Sequence, residues 1–198
     1  MNYGSIYLAS ASPRRSQLLA QIGVPHDVLP VDLDEERLAG EPPRVYVERL
    51  ARDKARAAAA ALGGRPARPV LAADTSVVLG DEIFGKPADE ADCLRMLVAL
   101  GGRTHEVMTA VAVLAGEALL ADLCVSRVSF RPIGEDEGRR YWASGEPRDK
   151  AGGYAIQGLG AVFVERLEGS YSGVMGLPLF ETARLLAAAG VAAWRGAA

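Results

Sequence analysis

Apolar and polar positions alternate along the chain in blocks that predict strands and helices in turn. The apolar run from Ile6 to Ala9 predicts a short strand. A helix should follow, because Ser12 is a favourable N-cap, Pro13 suits the first helical position, and Gly23 is a typical residue after a helix end. A short extended segment then reaches an acidic run that includes Glu35.

The longer elements show the same alternation. The pattern predicts helices at Val45 to Leu62, after the capping Asp89 to Leu100, at Glu135 to Trp142 and after Pro178, and strands at Val70 to Leu79, Glu82 to Phe84, Glu106 to Leu114, Leu119 to Phe130 and Ala161 to Arg166. Alternating helices and strands with an antiparallel middle section predict an α/β fold, with a mixed, twisted sheet and two lobes. No repeat or linker divides the chain, so a single domain over residues 1–198 is expected.

Composition narrows the class of protein. A formal net charge of −3 argues against a general nucleic-acid binder, although a local basic pocket for a small phosphorylated ligand remains compatible with it. The chain has two widely separated cysteines, which provide neither a disulfide framework nor a zinc-site spacing. The sequence lacks a signal-peptide pattern and a membrane-spanning apolar run, so a cytoplasmic protein without membrane partners is expected.

The first predicted helix begins with two arginines, Arg14 and Arg15, where the helix dipole favours acidic residues. Together with the hydroxyls of Ser10 and Ser12 and free backbone N–H groups, these guanidiniums indicate a pocket for a phosphate-bearing ligand. A solvated arginine pair on a surface helix is an alternative of similar weight on this segment alone.

Asp74 interrupts the most apolar predicted strand. A carboxylate in a buried strand must be paired, bind a metal ion or lose its charge. The alternative, an aspartate that caps a turn, is less favoured because Thr75 and Ser76 continue the strand. Lys54 also faces inward, one helical turn after Leu50 in an apolar stripe, although a lysine stem can cover apolar surface while its ammonium stays in water.

Three further residues become candidates for ligand binding when they are considered together with Asp74 and the basic residues. Lys86 is held between a glycine and a proline after a hairpin, Glu35 could hold a divalent cation together with Asp74, and Gln157 lies in a glycine-rich segment where it could contact a base edge. Each has an ordinary alternative as a surface or loop residue. Cations that bind phosphates and carboxylates that hold a metal ion and a water suit the cleavage of a polyphosphate. The chain lacks the phosphate-binding motif of P-loop enzymes.

The motifs resemble those of the Maf family of nucleoside triphosphate pyrophosphatases over nearly the whole chain, from Ile6 to Leu186. The matching segments are Ser10–Arg15, Leu50–Ala55, Ala73–Thr75, Gly85–Pro87, Asp149–Gly152 with Ile156–Gly158, and Gly176–Pro178. The resemblance implies hydrolysis of a nucleoside triphosphate with Mg²⁺ or Mn²⁺. It also implies an inosine-triphosphatase-like fold with a central cleft between two lobes, and a homodimer.

The resemblance also implies roles for individual residues. Asp74 matches the proposed proton acceptor, and the residues that match phosphate- or metal-binding positions are Ser10, Arg15, Glu35, Lys54 and Lys86. Whether Asp74 takes the proton itself or holds the metal ion remains open. Arg14, Thr75 and Gln157 match the branch that is similar to dTTP/UTP pyrophosphatases, and a neutral glutamine suits a uracil or thymine edge.

Two other functions stay open beside a house-cleaning hydrolase of dTTP, UTP and modified pyrimidine nucleotides. One is a nucleotide-binding regulator of cell-division arrest with weak hydrolysis. The other is a pyrophosphatase for 7-methyl-GTP, a cationic purine that an aromatic ring and a carboxylate would suit better than Gln157.

Overall fold

Helices and strands follow one another in the order that the sequence pattern predicts, apart from a short helix at Tyr171–Met175 that was not predicted. A computed structural model describes residues 3–194. The strands are β1 (Ile6–Leu8), β2 (His26–Val28), β3 (Val70–Leu79), β4 (Glu82–Phe84), β5 (Thr104–Ala115), β6 (Ala118–Phe130) and β7 (Val164–Glu168). The α-helices are α1 (Pro13–Gln21), α2 (Pro43–Ala60), α3 (Glu90–Leu100), α4 (Glu135–Ala143), α5 (Tyr171–Met175) and α6 (Leu179–Ala188). None of the described helices is both long and apolar enough to span a membrane.

The strands form a seven-stranded mixed sheet in the order β2-β1-β3-β5-β6-β7, and β4 pairs with β3. Strand β1 runs parallel to β2 and to β3, whereas β4 is antiparallel to β3 and β7 is antiparallel to β6. The predicted α/β class with a mixed sheet is therefore confirmed.

The chain divides into two compact units. The first contains Met1–Asp74, Thr109–Cys124 and Gly176–Ala198, and the second contains Thr75–Met108 and Val125–Met175. The predicted single domain, with a cleft between its lobes, stays a prediction.

The core of the first unit lies between buried strands and the inward stripe of α2. Every residue of β1 is buried, as are the first residues of β3, because a central parallel strand is covered on both faces. The stripe of α2 repeats at helical spacing through Val47, Leu50, Ala51, Ala55 and Ala58. This packing brings α2 against the strand that contains Asp74.

The second unit has a more aromatic core. Its buried residues include Phe84, Phe130, Tyr141, Tyr154 and Phe163. The rings of Phe130 and Tyr154 meet edge to face, as do those of Tyr141 and Phe163. Such pairs contribute about 0.5–1.5 kcal/mol each beyond the area that they bury.

Local differences from the predictions have physical causes. The strand predicted at Ala161 to Arg166 begins only at Val164, because a 3₁₀ helix occupies Leu159–Phe163 and the N–H of Ala161 donates to the Gly158 carbonyl. Helix α5 was not predicted. Ser12 takes the N-cap position without a side-chain cap bond, whereas Asp89 accepts a hydrogen bond from the N–H of Asp92 as expected.

Candidate active site

Asp74 is the last residue of the first unit along β3 and is 7% exposed. Its Oδ1 accepts a hydrogen bond of 2.7 Å from Lys54 Nζ, so the buried carboxylate is paired. The first of the three outcomes expected for a carboxylate in this strand is therefore the one observed. A turn-capping aspartate is excluded, because β3 continues to Leu79.

Lys54 joins Asp74 to a second carboxylate. The Lys54 side chain is 12% exposed, and its Nζ lies 2.6 Å from Glu35 Oε1. The prediction that Lys54 lies on the inward face of α2 is confirmed. The Lys54 ammonium forms ion pairs with both carboxylates. One ammonium for two carboxylates leaves an excess negative charge among the three side chains.

Glu35 itself is about half exposed, since it lies in the irregular segment between β2 and α2. The Tyr46 hydroxyl donates to the Glu35 backbone carbonyl at 2.9 Å. Burial raises the pKa of the Tyr46 phenol, and the Asp74 and Glu35 carboxylates raise it further. The phenol is therefore within the electrostatic field of the same cluster.

Ser10 and Arg15 form an adjoining polar group. Ser10 Oγ is buried and accepts hydrogen bonds from Arg15 Nη1 at 3.2 Å and from the N–H of Ser12 at 3.1 Å. Arg15 Nε also donates to the Gly176 carbonyl at 2.8 Å. These bonds tie the guanidinium to the start of α1, where the sequence predicts a phosphate-binding pocket.

The electrostatics of Arg15 report which charges surround it. Desolvation lowers the pKa of its guanidinium, the negative charges of Asp74 and Glu35 oppose that shift, and the positive charge of Arg14 adds to it. The structure thus brings six predicted site residues of the first unit into one electrostatic environment: Ser10, Arg14, Arg15, Glu35, Lys54 and Asp74.

A divalent cation fits the donor chemistry of this cluster. Asp74 and Glu35 are close enough to share one ammonium, and carboxylate oxygens are the ligands that Mg²⁺ prefers. In residues 3–194 no group of three or more His, Cys, Asp or Glu side chains could hold a metal ion by itself. Mg²⁺ commonly takes one or two carboxylates and completes its shell with water and substrate phosphates, so two carboxylates suffice.

Lys86 belongs to the second unit, in the loop that follows β4. Its side chain is exposed, while the preceding Gly85 accepts a hydrogen bond of 2.9 Å from the N–H of Gly152. Gly152 has φ +69°, and a Cβ there would meet the Val77 methyl groups at 3.0 Å. The positive φ and the close approach to Val77 require glycine at position 152, and the hydrogen bond from its N–H to Gly85 joins the Lys86 loop to the glycine-rich segment.

Gln157 is exposed at the tip of a loop that Glu146 anchors. The Glu146 carboxylate accepts hydrogen bonds of 2.9 Å from the N–H groups of Leu159 and Gly160, and of 2.7 Å from the Tyr141 hydroxyl. Burial alone would raise the pKa of Glu146, but these bonds hold it below its usual value. The loop therefore presents Gln157 on a fixed backbone.

Thr75 follows Asp74 directly on β3 and is half-buried. Successive strand residues point to opposite faces, so Thr75 lies on the other face of the strand from Asp74. Thr75, Lys86 and Gln157 all belong to the second unit. Their roles at one ligand together with the cluster of the first unit stay predictions.

Sequence reasoning missed the residues that hold these loops. Tyr46 and Glu41 contact the segment of Glu35, and Glu146 and Tyr141 contact that of Gln157. For Tyr46 there was a signal, since it lies two helical turns before Lys54 on the same face of α2. Glu146 gave none beyond its place before a proline and a glycine-rich run.

The chain is similar to known proteins over nearly its whole length. A family model described as Maf-like protein matches residues 5–189. The chain is 54% identical over 195 residues to a dTTP/UTP pyrophosphatase of Saccharophagus degradans, covering 98% of this chain and 93% of the relative. It is also 54% identical to a dTTP/UTP pyrophosphatase of Cereibacter sphaeroides, covering 98% of this chain and all of that protein. The solved structure of the Staphylococcus aureus Ham1 protein aligns with a TM-score of 0.45 and 20% identity, over 66% of this chain and 72% of its own. With its family model matched over nearly the whole chain, the protein belongs to the Maf-like family.

Proposed function

We propose that the protein is a nucleoside triphosphate pyrophosphatase that hydrolyses dTTP and UTP to the monophosphate and pyrophosphate. The observation that carries the proposal is the pairing of Asp74 and Glu35 with one ammonium, that of Lys54, beside the Arg15–Ser10 group. Relatives that match nearly the whole chain bear the name dTTP/UTP pyrophosphatase, which supports this substrate class.

The arginines bind the negatively charged phosphates in this proposal. Charge-assisted hydrogen bonds to phosphate oxygens are stronger than neutral ones, and a guanidinium can make two in parallel. Arg15 is already fixed by Ser10 and Gly176, so little side-chain freedom is lost when a phosphate binds. Arg14 acts beside it, and Lys86 enters on its sequence motif as a further phosphate contact.

Glu35 and Asp74 hold a divalent cation, Mg²⁺ or Mn²⁺, in the same proposal. When bound, such an ion neutralises phosphate charge and lowers the pKa of a coordinated water. The ammonium of Lys54 holds the two carboxylates together and offsets part of their repulsion.

Asp74 accepts a proton from the attacking water. As the proton moves to the carboxylate, the water oxygen bonds to the α-phosphorus, and the anhydride bond between the α- and β-phosphates breaks. The electron pair of that bond leaves with pyrophosphate, whose charge the cationic side chains stabilise. The chemistry needs no covalent intermediate.

Gln157 is the proposed contact to the base. A neutral amide offers one acceptor and two donors, which match the imide edge of uracil or thymine. The anchored loop around Glu146 supports this role, because its backbone is fixed by hydrogen bonds on both sides of Gln157. Arg14 and Thr75 complete the proposed set of residues that select the substrate. We also propose that the protein acts in the cytoplasm as a homodimer that removes modified pyrimidine nucleotides.

The experiment is pyrophosphate release from a panel of nucleoside triphosphates, with and without Mg²⁺ or Mn²⁺. Metal-dependent release from dTTP and UTP is expected, with slower release from 7-methyl-GTP. Silence across the panel from folded protein that still binds nucleotides would favour a binding regulator, and a preference for 7-methyl-GTP would favour the other branch of the family.

A further inference from the structure

We propose that Tyr46 and Arg49 of α2, held in place by Glu41, are positioning residues that fix Glu35 beside Lys54 and Asp74. The inference rests on the proposed function, in which Glu35 acts on the metal ion and the phosphates. It assigns a positioning role to a hydrogen-bonded group of residues that do not themselves bind the substrate or the metal ion.

The segment that contains Glu35 needs external support. It lies between β2 and α2 with neither helical nor strand structure, and residues 34–40 are exposed. A carboxylate on such a segment would sample many positions, because fixing each residue of a flexible backbone costs about 1–2 kcal/mol of conformational entropy. Catalysis requires the opposite, a carboxylate held at one place.

Two side chains of α2 grip consecutive carbonyls of this segment. The Tyr46 hydroxyl donates to the Glu35 carbonyl at 2.9 Å, and Arg49 Nη2 donates to the Glu36 carbonyl at 3.1 Å. Together with Lys54, which binds the Glu35 carboxylate, one helix holds this residue by its backbone and by its side chain. Because a helix is a rigid element, the three side chains that make these contacts keep a fixed spacing.

Arg49 is itself held by Glu41. The guanidinium donates to Glu41 through Nε at 2.7 Å and through Nη2 at 2.8 Å, and it lies 5.7 Å from the centre of the Tyr46 ring. The side chain of Glu41 is 5% exposed. It also accepts a hydrogen bond from the N–H of Leu38 at 3.2 Å, which ties down the far end of the segment.

This arrangement separates two tasks among neighbouring carboxylates. Glu41 takes up both prongs of a guanidinium and a backbone N–H, so its donors come from the chain itself. Glu35 shares a single ammonium with Asp74 and is half exposed. The saturated carboxylate therefore supports the one that remains accessible to a ligand.

The test uses Tyr46→Phe and Arg49→Lys in the full chain. Groups that orient a metal ligand typically change metal affinity or activity by about 10- to 100-fold when altered. We expect kcat for dTTP to fall by about that factor in both variants, with a smaller change in KM, and the Mg²⁺ concentration for half-maximal activity to rise. Hydrogen–deuterium exchange of residues 34–38, measured without nucleotide, should become faster.

Matched controls exist in the same unit. Arg68 lies 4.1 Å from the centre of the Tyr7 ring and donates to the Tyr7 hydroxyl, to Ser5 and to Asp27. Tyr7→Phe and Arg68→Lys therefore remove similar bonds away from Glu35. They should leave the Mg²⁺ dependence and the exchange of residues 34–38 unchanged.

A double-mutant cycle decides whether the effect passes through Glu35. In a Glu35→Gln background, adding Tyr46→Phe should lower kcat by less than about twofold, because the residue that it positions is already disabled. Equal losses in both backgrounds, or the same losses from the Tyr7 and Arg68 variants, would overturn the proposal. If the wild-type protein releases no pyrophosphate, the proposed function fails, and the exchange measurement alone then supports or overturns the positioning role.

Discussion

A pair of carboxylates and a single carboxylate lie beside the same helix, α2, and differ in the hydrogen-bond donors that they receive. Asp74 and Glu35 share the single ammonium of Lys54. Glu41, which lies just before the start of α2, receives hydrogen bonds from two nitrogens of the Arg49 guanidinium and from the backbone N–H of Leu38. Asp74 and Glu35 therefore share one directly bonded cation, whereas Glu41 has a guanidinium of its own.

The difference shows which carboxylates are available for chemistry. A carboxylate whose acceptor capacity is filled by donors of the chain has few lone pairs left to ligate a further cation. Carboxylates that share a single directly bonded ammonium can still ligate another positive charge, such as a divalent ion that also binds phosphates. Counting donors and charges around each carboxylate separates two roles that residue type alone does not.

Asp74→Asn tests the comparison with the largest expected effect. The substitution keeps the shape of the side chain but removes its charge and its capacity to accept a proton. We expect turnover of dTTP to fall by about 10²- to 10⁴-fold. Pyrophosphate release measures this loss, circular dichroism checks the fold, and near-normal turnover in a folded variant would remove Asp74 from the chemistry.

His105 lies outside the candidate site, and its titration should make the stability of the fold depend on pH. Burial lowers the pKa of His105 to about 4, and its Nε2 lies 2.9 Å from the Tyr154 hydroxyl. Between pH 6.5, the ordinary pKa of histidine, and about pH 4, the unfolded chain binds a proton at His105 that the folded chain does not. The free energy of unfolding should therefore fall by about 3 kcal/mol as the pH drops through this range.

Urea unfolding of wild type and His105→Gln between pH 7 and pH 4 measures that loss. The variant should be less sensitive to acid, because its amide does not titrate in this range. Identical pH profiles for the two proteins would show that His105 is not responsible.

Gln157→Glu adds a carboxylate for which the loop supplies no new cation. It should weaken dTTP and UTP relative to 7-methyl-GTP by about 10-fold, the value of one lost hydrogen bond in a binding site. The readout is the ratio of kcat/KM values. An unchanged ratio would remove Gln157 from substrate selection.

Glu41→Gln is expected to have the smallest effect, and that effect should depend on pH. The bond from Arg49 lowers the pKa of Glu41 below its ordinary value of 4.5, so the stability that it contributes is present above pH 4.5 and is lost as the pH falls through the lowered value. Thermal unfolding should show the variant less stable than wild type at pH 7, with the gap closing in acid. A constant gap would mean that the carboxylate's charge is not what matters.

Much of the fold was predictable because strong local signals agreed with the tertiary structure. The predicted bounds of β3 and β4 match the structure, since a Val-rich run ends at a glycine turn. The membership of the Maf family is also confirmed. The strand β7 was placed too early, because the 3₁₀ helix before it depends on Glu146, which lies 13 residues before Leu159 and is joined to it only in the folded chain.

The candidate site was predictable where a residue conflicts with its surroundings. Asp74 in an apolar strand and Lys54 in an apolar stripe are such conflicts, and the structure pairs them. The group of Tyr46, Arg49 and Glu41 conflicts with nothing in the sequence, where the helical spacing of Tyr46 from Lys54 is its one signal. Its members resemble ordinary residues at the start of a helix, and only the folded segment around Glu35 reveals their contacts.

The most direct test of the account is the identity of the products. The measurement is ³¹P NMR of dTTP incubated with the wild-type protein and Mg²⁺. The proposed pyrophosphatase yields dTMP and pyrophosphate, by cleavage between the α- and β-phosphates. The appearance of dTDP and orthophosphate, or unchanged dTTP in the presence of folded protein, would contradict it.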